Sequence, residues 1–510
     1  MNILNVEKVS KAFGEKVLLD NVTLGINKGD KIGIIGVNGT GKSTLLKIIA
    51  GIEEPDEGNI IKGRKVTVTY LAQSPDYIKD ENVLSYVLRG KDSSNEPKAK
   101  EILNKLGIDV YDAPMDKLSG GQKKRVALAK VLVEPTEVLI LDEPTNHLYN
   151  EARQIVKNYL NRKKGFILVS HDRDILDACI DHVLVLNRAT IEVQAGNFSS
   201  WWENKEKADK NARAENEKHA REIEKLETAA DRAGRWAERS ERTKIGFDPV
   251  KEHDRSKDTR AYIGAKTKKM QKRVEAYENR IRREIEEKEG LLKDIEETQD
   301  LKLMPLRYHK DRLLRTADFS LRYCDAAANA VRNVTFELKN GDRIALDGAN
   351  GCGKTSLVKA ILACNKDGEA VSSDYGTTGI LEVPRNLIIS YVSQDTSHLK
   401  GCLRDFAREK KLDYTLLLAL LRQLDFERVL FDKDMELYSE GQKKKVLIAS
   451  SLLTPAHLYI WDEPLNYIDV YTRMQIEKLL LAFRPTMLFV EHDVRFKETI
   501  ATGVLHMERN

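Results

Sequence analysis

Apolar residues follow one pattern at the two ends of the chain and another in its middle. Alternating apolar positions near Ile3 and over 31–35 predict strands, and the uninterrupted apolar runs at 138–141 and 166–169 are typical of strands buried in a parallel sheet. Between about residues 201 and 310 the apolar residues instead recur every three or four positions among charged residues. That spacing predicts two long helices folded back on each other.

The length of the chain sets its domain organisation. A chain of 510 residues is too long for one hydrophobic core, and a prior of ~150 residues per domain gives about three units. We therefore predict an α/β protein with two similar domains, residues 1–200 and 312–510. A long antiparallel α-helical hairpin over 201–311 joins them, and its tip covers about 237–263.

Charge is unevenly distributed along the predicted hairpin. Residues 232–273 contain fourteen Lys or Arg and six Asp or Glu, a net charge of +8, whereas 201–231 carries −2 and 274–300 carries −5. The acidic stems are typical of solvated helix faces. A basic end on a lever of roughly 45 Å, at ~1.5 Å per residue, is instead suited to an anionic partner.

Overall composition narrows the class of protein. The net charge is only +4, so any nucleic-acid binding must come from local basic patches. The five cysteines are scattered without a CxxC pair, which disfavours a zinc site or a disulfide framework and favours a reducing, cytoplasmic location. The N-terminus lacks the apolar region of a signal peptide, and no run approaches the ~18 apolar residues of a membrane span.

A phosphate-binding loop follows the strand predicted over 31–35. The segment from Gly36 to Ser43 fits GxxxxGK[ST] and is followed by an apolar helix at 44–49, the context that this motif requires. The glycines let backbone N–H groups surround a β-phosphate, Lys42 reaches the β and γ oxygens, and the Ser43 hydroxyl ligates Mg²⁺. The loop residues that we predict to bind ATP are Gly36, Asn38, Gly39, Gly41, Lys42, Ser43 and Thr44.

Two further apolar strands end in residues suited to hydrolysis. One is followed by Asp142, placed to hold Mg²⁺, and by Glu143, placed to orient or deprotonate the attacking water. The other is followed by His171, whose imidazole we expect at the same sheet edge, near the γ-phosphate. A lone histidine there is more often structural, but the accompanying groups favour a catalytic role.

The segment Leu118-Ser119-Gly120-Gly121-Gln122, ahead of a helical stretch, resembles the LSGGQ signature of ATP-binding cassette (ABC) proteins. The resemblance covers both ends of the chain and implies that the signature of one cassette grips the γ-phosphate held by the phosphate loop of the other. Two cassettes then enclose two ATP. The further residues that it implies in ATP binding are Phe13, as the adenine-stacking aromatic, Gln73, as a Q-loop residue that also ligates Mg²⁺, and Ser119, Gly120, Gly121 and Gln122.

The second half of the chain repeats these features at offsets near 312 to 321 residues, which indicates an internal duplication. The matching ATP-binding residues are Tyr323, Gly348, Asn350, Gly351, Gly353, Lys354, Thr355, Ser356, Gln394, Ser439, Gly441 and Gln442. Thr355, Gln394 and Asp462 are the predicted Mg²⁺ ligands, and Glu463 and His492 are the predicted catalytic residues. We therefore predict two hydrolysis-competent sites.

Two positions depart from the family pattern and make the sites unequal. The second signature carries Glu440 where the first has Gly120, and a carboxylate beside the triphosphate is expected to slow ATP-driven closure. Tyr149 stands where the family usually has an aspartate, which the second cassette keeps as Asp469. The resemblance therefore implies no communication between the sites through Tyr149.

Two cassettes on one chain, no membrane span and a charged helical hairpin resemble the ABC-F proteins. The segment 258–266 is similar to the start of the second linker helix of that family, and 461–469 is similar to members that protect ribosomes from lincosamides, streptogramin A and pleuromutilins. The resemblance implies binding in the E site of the bacterial 70S ribosome, with contacts to P-site tRNA and large-subunit rRNA. Because the cassettes pair within the chain, no stable homo-oligomer is needed.

The predicted tip is unusually long. About 27 residues separate Trp236 from Gly264, more than the two to eight of an ordinary connection between helices. Basic and aromatic residues at such a tip suit phosphates and unpaired bases, although Trp236 and Phe247 alternatively only close the bend. The residues predicted to contact RNA are Arg235, Trp236, Arg239, Arg242, Lys244, Phe247, Lys251, Arg255, Lys257, Arg260, Tyr262 and Lys266.

The resemblance implies that a long tip approaches the peptidyl-transferase centre and displaces bound drug, either directly or through the P-site tRNA. Within the family, the alternative is a translation factor that rescues stalled ribosomes without drug. The ATPase subunit of a transporter would need separate membrane partners and leaves the basic tip unexplained. A coiled-coil ATPase of DNA repair commonly has a longer or zinc-tipped hairpin.

Overall fold

The computed structural model describes residues 2–14, 16–64, 66–72, 76–133, 136–145, 148, 150–187, 191–242, 272, 275–277, 279–281, 283, 303–325, 328–349, 351–367 and 374–508. The chain divides into two compact units, one comprising Met1–Trp201 with Thr298–Asn510 and the other comprising Trp202–Glu297. The first unit contains both predicted cassettes.

The first cassette combines an antiparallel sheet with a larger, mostly parallel one. Its strands are β1 (Asn2–Phe13), β2 (Lys16–Asn27), β3 (Lys31–Ile35), β4 (Glu57–Lys62), β5 (Val68–Leu71), β6 (Val138–Asp142), β7 (Phe166–Val169), β8 (His182–Leu186) and β9 (Ile191–Ala195). Its helices are α1 (Lys42–Ala50), α2 (Val83–Leu88), α3 (Glu96–Lys105), α4 (Gly120–Val133), α5 (Asn150–Arg162) and α6 (Arg173–Cys179), with 3₁₀ turns at Ser93–Asn95 and Met115–Lys117.

The first cassette has two sheets with different strand arrangements. Strands β2-β1-β4 make the antiparallel sheet, and the larger sheet has the order β5-β6-β7-β3-β8-β9, in which all pairs except β8 with β9 are parallel. The strands β3, β6 and β7 are apolar and almost wholly buried, as expected for a sheet covered on both faces.

The second cassette repeats this arrangement. Its strands are β10 (Arg312–Tyr323), β11 (Val331–Lys339), β12 (Arg343–Asp347), β13 (Tyr375–Glu382), β14 (Ile389–Val392), β15 (Leu458–Asp462), β16 (Met487–Val490) and β17 (Gly503–His506). After the linker helix α7, described below, its helices are α8 (Lys354–Asp367), α9 (Leu403–Glu409), α10 (Tyr414–Gln423), α11 (Glu440–Leu453), α12 (Val470–Phe483) and α13 (Val494–Ile500), with 3₁₀ turns at Arg428–Leu430 and Met435–Leu437.

The strand orders show the duplication directly. The parallel sheet β14-β15-β16-β12-β17 follows the same order as β5-β6-β7-β3-β8, and β11-β10-β13 matches β2-β1-β4. The second cassette begins before its predicted start at 312, because Leu303 is buried in its core and the Leu306 N–H donates to the Ala456 carbonyl at 2.9 Å. The described residues 303–311, predicted as part of the hairpin, therefore belong to the cassette unit.

A buried ion pair joins the two cassettes. The Arg173 guanidinium, at the start of α6, donates to the Glu477 carboxylate on α12, with 2.9 Å between Nη1 and Oε2. Both side chains are less than a tenth exposed. The residues equivalent to this pair on the opposite side are Val494 and Lys157, so the ion pair is not repeated by the duplication.

The helix α7 (Phe198–Arg242) begins within the cassette unit. In its first turn, the Ser199 hydroxyl donates to Asp177 Oδ2 at 2.7 Å and accepts from Arg495 at 3.2 Å. The buried Trp201 packs edge-on against Tyr471 with the ring centroids 6.0 Å apart. Asp177 belongs to the first cassette and the other two partners to the second, so the first turn contacts both.

The second unit consists of the rest of α7 and the residues up to 297. The helix has 45 residues and continues through Arg242, so that 237–242 of the predicted tip are helical. Of the predicted tip contacts, Arg235, Trp236, Arg239 and Arg242 lie on α7, and Arg235 is exposed. The remaining predicted contacts, and most of the second predicted helix, lie outside the described residues.

Candidate active sites

The carboxyl ends of three neighbouring strands bring the candidate residues of the first cassette together. The phosphate loop follows β3, Asp142 ends β6, and His171 comes two residues after β7. Because these strands are parallel and adjacent, their carboxyl ends meet at one sheet edge. The strands β12, β15 and β16 place Asp462 and His492 in the same way.

Both loop lysines lie back over their own phosphate loops. Lys42 Nζ donates to the Gly36 and Val37 carbonyls, at 2.8 Å each, and Lys354 Nζ donates to the Gly348 and Ala349 carbonyls, at 2.7 and 3.0 Å. Burial lowers the pKa of the Lys42 ammonium, while Glu143 opposes the shift. These carbonyl bonds hold each ammonium where the phosphates would lie.

The loops need glycine for conformation and for space. Gly353 has φ of +90°, in the left-handed region, and a Cβ there would lie 2.0 Å from the Ala330 carbonyl oxygen. Gly41 has φ of +97° immediately before α1. Both glycines are therefore required for the backbone to turn from strand into helix, with its N–H groups towards a phosphate.

A buried carboxylate faces a hydroxyl in each cassette. Burial raises the pKa of Asp142, while hydrogen bonds from the Ser43 and Tyr70 hydroxyls oppose the rise. Burial likewise raises the pKa of Asp462, and the Thr355 hydroxyl opposes the rise. The Oδ1 atoms of both aspartates are buried without a hydrogen-bond partner among the described residues. A carboxylate with a free oxygen beside a hydroxyl fits a Mg²⁺ site that is shared with phosphate oxygens.

A glutamate and a histidine meet in both cassettes. His171 Nε2 lies 2.9 Å from Glu143 Oε1, and His492 Nε2 lies 3.4 Å from Glu463 Oε1. Both glutamates have left-handed backbones, with φ of +51° and +48°. A non-glycine residue in this conformation is strained, and such strain clusters at functional sites.

The described residues around each glutamate account for its pKa. Burial raises the pKa of Glu143, but the His171 imidazole outweighs it and leaves the pKa below its usual value. For Glu463, burial is outweighed by His492 and by an amide that donates to Oε2 from Gln394 at 2.9 Å, so the pKa falls to about 2. Asn466 Nδ2 donates to the same oxygen at 2.7 Å. Both glutamates are therefore held as carboxylates.

Sequence reasoning missed two contributors. The Tyr70 hydroxyl donates to Asp142 Oδ2 at 3.3 Å, and the second cassette has Tyr391 at the equivalent position. A tyrosine at the same position of both cassettes was the sequence signal that could have identified this contact. Asn466 was not identified either, although it lies in the turn that follows β15 and Glu463. The predicted residues Gln73, Asn350 and Tyr149 lie outside the described residues.

The predicted adenine-stacking residues occupy equivalent positions in different surroundings. Phe13 is the last residue of β1 and is 53% exposed, with Lys11 Nζ 5.6 Å from its ring centroid. Tyr323 is the last residue of β10 and is half-buried, and its hydroxyl lies 3.0 Å from Ser356 Oγ. Phe13 thus presents a free ring face more readily than Tyr323.

The signature serines and glutamines cap their own helices. At the start of α11, Gln442 N donates to Ser439 Oγ at 3.3 Å, and Ser439 N donates to Gln442 Oε1 at 2.8 Å. Ser119 and Gln122 make the same pair of bonds at the start of α4. Each pair satisfies backbone donors that a helix start leaves open, so the glutamines have a structural role in addition to the predicted contact with ATP.

The second signature lies against the first phosphate loop. Asn38 Nδ2 donates to the Tyr467 carbonyl across the cassettes at 2.7 Å. A Cβ at Gly441 of the second signature would lie 3.5 Å from that same nitrogen. The Glu440 carboxylate, which we expected near triphosphate, accepts a hydrogen bond at 2.6 Å from Thr396 of its own cassette.

Comparisons with known proteins agree with this geometry. A family profile described as ABC transporter matches residues 19–146 and 331–466. The chain is similar to the Bacillus subtilis proteins YfmR, an uncharacterized ABC transporter ATP-binding protein, and VmlR, a ribosome protection protein. They are 28% and 27% identical, and the alignments cover the whole chain and 82% and 87% of the relatives.

A third relative is EttA of Mycobacterium tuberculosis, named an energy-dependent translational throttle protein. It is 28% identical over 99% of this chain and 91% of its own length. Among solved structures, the archaeal ribosome recycling factor aABCE1, in complex with a ribosomal stalk protein, superposes with a TM-score of 0.62 at 20% identity, over 98% of this chain and 87% of that one. This likeness concerns the fold.

No helix among the described residues combines the length and the apolar composition needed to cross a membrane.

The matched profile covers the phosphate loops, signatures and carboxylate strands of both cassettes. The chain therefore belongs to the ABC transporter family, and within it this protein is an ABC-F ATP-binding protein and an ATPase.

Proposed function

We propose that this ATPase protects bacterial ribosomes from antibiotics. In its ATP-bound form it enters the E site beside P-site tRNA, and its linker tip approaches the peptidyl-transferase centre. There it displaces drugs of the lincosamide, streptogramin A or pleuromutilin type. Hydrolysis then separates the cassettes and releases the protein from the 70S ribosome.

The observation that carries this proposal is the linker. A helix of 45 residues is about 68 Å long at ~1.5 Å per residue, and its last turns begin the segment 232–273, which has a net charge of +8. Transport and nucleotide hydrolysis give no reason for such a basic extension, whereas rRNA and tRNA supply phosphates and unpaired bases for it. Support also comes from VmlR, whose name is ribosome protection protein and which aligns over the whole chain.

The cassettes supply the energy for this cycle. Lys42 and Lys354 bind the phosphates of two ATP. Asp142 with Ser43, and Asp462 with Thr355, would hold Mg²⁺. When bound, the ion neutralises charge on the phosphates. Glu143 and Glu463 orient the attacking waters, and His171 and His492 hold those carboxylates in position.

A second candidate function is translation control without drug, and the similarity to EttA favours it. In that case the tip acts beside the P-site tRNA and rescues stalled ribosomes without drug. A transporter subunit is the candidate from another class, and it predicts ATPase activity that depends on membrane partners and is unaffected by ribosomes.

The decisive experiment is cell-free translation of a reporter inhibited by a lincosamide or a pleuromutilin, with and without the purified protein and ATP. We expect synthesis to be restored, and deletion of Arg242–Arg255 to abolish the rescue while ATPase activity is kept. Because no membrane is present, efflux cannot produce this result. Rescue by the deletion variant would contradict the role of the tip.

A charge-matched pair of variants separates the tip from general electrostatics. The tip variant carries Lys251→Gln, Arg255→Gln and Lys257→Gln, and its control carries Lys205→Gln, Lys207→Gln and Lys210→Gln in the first stem. Only the tip variant should lose protection. If neither drug is countered, pelleting of the Glu143→Gln, Glu463→Gln variant with ribosomes decides between the two remaining functions, since a transporter subunit would not co-sediment.

A further inference from the structure

An arginine of the second cassette holds the histidine of the first. Arg473, in the first turn of α12, is 7% exposed, and its Nη1 forms an ion pair with Asp493 Oδ2 of its own cassette at 3.1 Å. The same nitrogen donates to the backbone carbonyl of His171 in the other cassette, at 3.2 Å. One guanidinium therefore ties the two cassettes at the residue that faces Glu143.

The duplication repeats this contact in the opposite direction. Arg153, in the first turn of α5, pairs through Nη1 with Asp172 Oδ2 at 3.0 Å and donates to the His492 carbonyl at 3.1 Å. The two crossing bonds are thus related by the pseudo-twofold relation between the cassettes. Both halves of the duplication keep this contact, in contrast to the one-sided ion pair of Arg173.

Each crossing bond leads directly to a candidate catalytic glutamate. The carbonyl of His171 belongs to the residue whose Nε2 lies 2.9 Å from Glu143 Oε1. Fixing that carbonyl fixes the backbone from which the imidazole extends, and a displacement of 1 Å at a reacting group is enough to lower a rate about a hundredfold. Arg473 also donates to the Ile468 and Leu465 carbonyls, in the loop that contacts the first phosphate loop.

The chemistry of the contact suits repeated opening and closing. Each arginine pairs with an aspartate of its own cassette, so its charge stays paired when the cassettes separate. Only the bond to the histidine carbonyl is made and broken. A buried charge left without a partner would strongly disfavour the open state, and this arrangement avoids that penalty.

We propose that Arg473 and Arg153 are positioning residues that set the opposite histidine: Arg473 acts on the first site through His171, and Arg153 acts on the second through His492. Each site then reaches its hydrolytic geometry only when the cassettes are closed. The inference rests on the ATPase activity and on the catalytic assignment of the two histidines, and it is independent of the ribosome.

Single-site chains test the crossed pattern. Turnover in a Glu463→Gln chain reports the first site, and turnover in a Glu143→Gln chain reports the second. We expect Arg473→Ala to lower kcat about tenfold more in the first chain than in the second, as for loss of one charge-assisted hydrogen bond, with KM for ATP nearly unchanged. Arg153→Ala should show the reverse pattern.

A matched control is Arg343→Ala, because Arg343 donates from Nε to the Ile500 carbonyl within its own cassette at 2.7 Å and does not reach across. It should affect both single-site chains equally. Equal losses from Arg473→Ala in the two chains, or a larger loss at the second site, would overturn the proposal.

A double-mutant cycle keeps the proposal falsifiable if alanine disturbs folding. Arg473→Lys keeps a charge beside Asp493 but loses the planar fork. Combined with His171→Gln it should add little further loss of kcat at the first site, whereas its combination with His492→Gln should be additive. Additive losses with both histidines would show that the arginine only supports the fold.

Discussion

Replacing Asp469 by Asn removes one buried charge and little else. Asp469 is fully buried at the start of α12, where its carboxylate accepts from the Thr472 N–H at 2.9 Å and pairs with Lys445 Nζ at 3.0 Å. Asparagine is also a good helix cap and keeps the bond to the N–H. What it loses is the charge that compensates Lys445, which is itself 3% exposed.

The pKa of Asp469 gives the size of the effect. Burial raises this pKa, but Lys445 and the helix N–H outweigh burial and lower it to about 2 from the ordinary 3.8. A depressed carboxyl pKa means stability that is present above pH 4 and is lost as the pH falls towards 2. At ~1.4 kcal/mol per unit this amounts to roughly 2 kcal/mol, and the unpaired ammonium can raise the loss to about 4 kcal/mol.

Urea unfolding followed by Trp461 measures the loss in the second cassette. Trp461 is fully buried in β15, and the other three tryptophans, Trp201, Trp202 and Trp236, are replaced by Phe in all variants. With a slope of about 2 to 3 kcal/mol per M urea, we expect the midpoint to fall by about 1 M at pH 7.

The matched rescue is Asp469→Asn combined with Lys445→Met, which removes both charges. We expect it to recover most of the midpoint, because a buried pair replaced by apolar groups is often neutral. The reasoning is refuted by a single-variant shift below about 0.2 M. It is also refuted if the double variant is no more stable than Asp469→Asn alone.

Three further predictions concern the sites and their junction. Glu463→Gln, which leaves only the first site active, should retain less turnover than Glu143→Gln, because Glu440 of the second signature is expected to slow the first site. Equal rates would contradict this prediction. Tyr70→Phe removes a hydrogen bond that opposes the raised pKa of Asp142, so the acid limb of the pH profile at the first site should move to higher pH, and an unmoved limb would argue against it. Glu477→Gln removes the nearer of the two carboxylates that pair with the buried Arg173. It should destabilise the cassette unit by about 3 kcal/mol in thermal unfolding, with recovery when Arg173 is also changed to Met.

Local motifs made most of the fold and much of the candidate site predictable. The phosphate loop needs a strand before it and a helix after it, and β3 and α1 provide both. Parallel strands then bring Asp142 and His171 to the same edge of the sheet, because the carboxyl ends of adjacent parallel strands lie side by side. The repeat within the chain extended the same prediction to the second cassette.

The contacts between the cassettes could not be predicted from the sequence. Arg473 stands 302 residues from the histidine whose carbonyl it contacts, and no spacing rule relates two such positions. The capping role of Gln442 was missed for another reason: the family resemblance assigned its side chain to ATP. Glu440 found a hydroxyl partner in its own cassette, which a reading of the signature alone does not reveal.

The first turn of α7 has a mechanical consequence. Ser199 and Trp201 contact elements of both cassettes, so a change in the angle between the cassettes alters the seat of the helix on at least one side. Because contacts to both cassettes meet within one helical turn, the cassettes cannot separate without breaking at least one of these contacts. Opening of the cassettes therefore has an energetic cost at this turn as well as at the nucleotide sites.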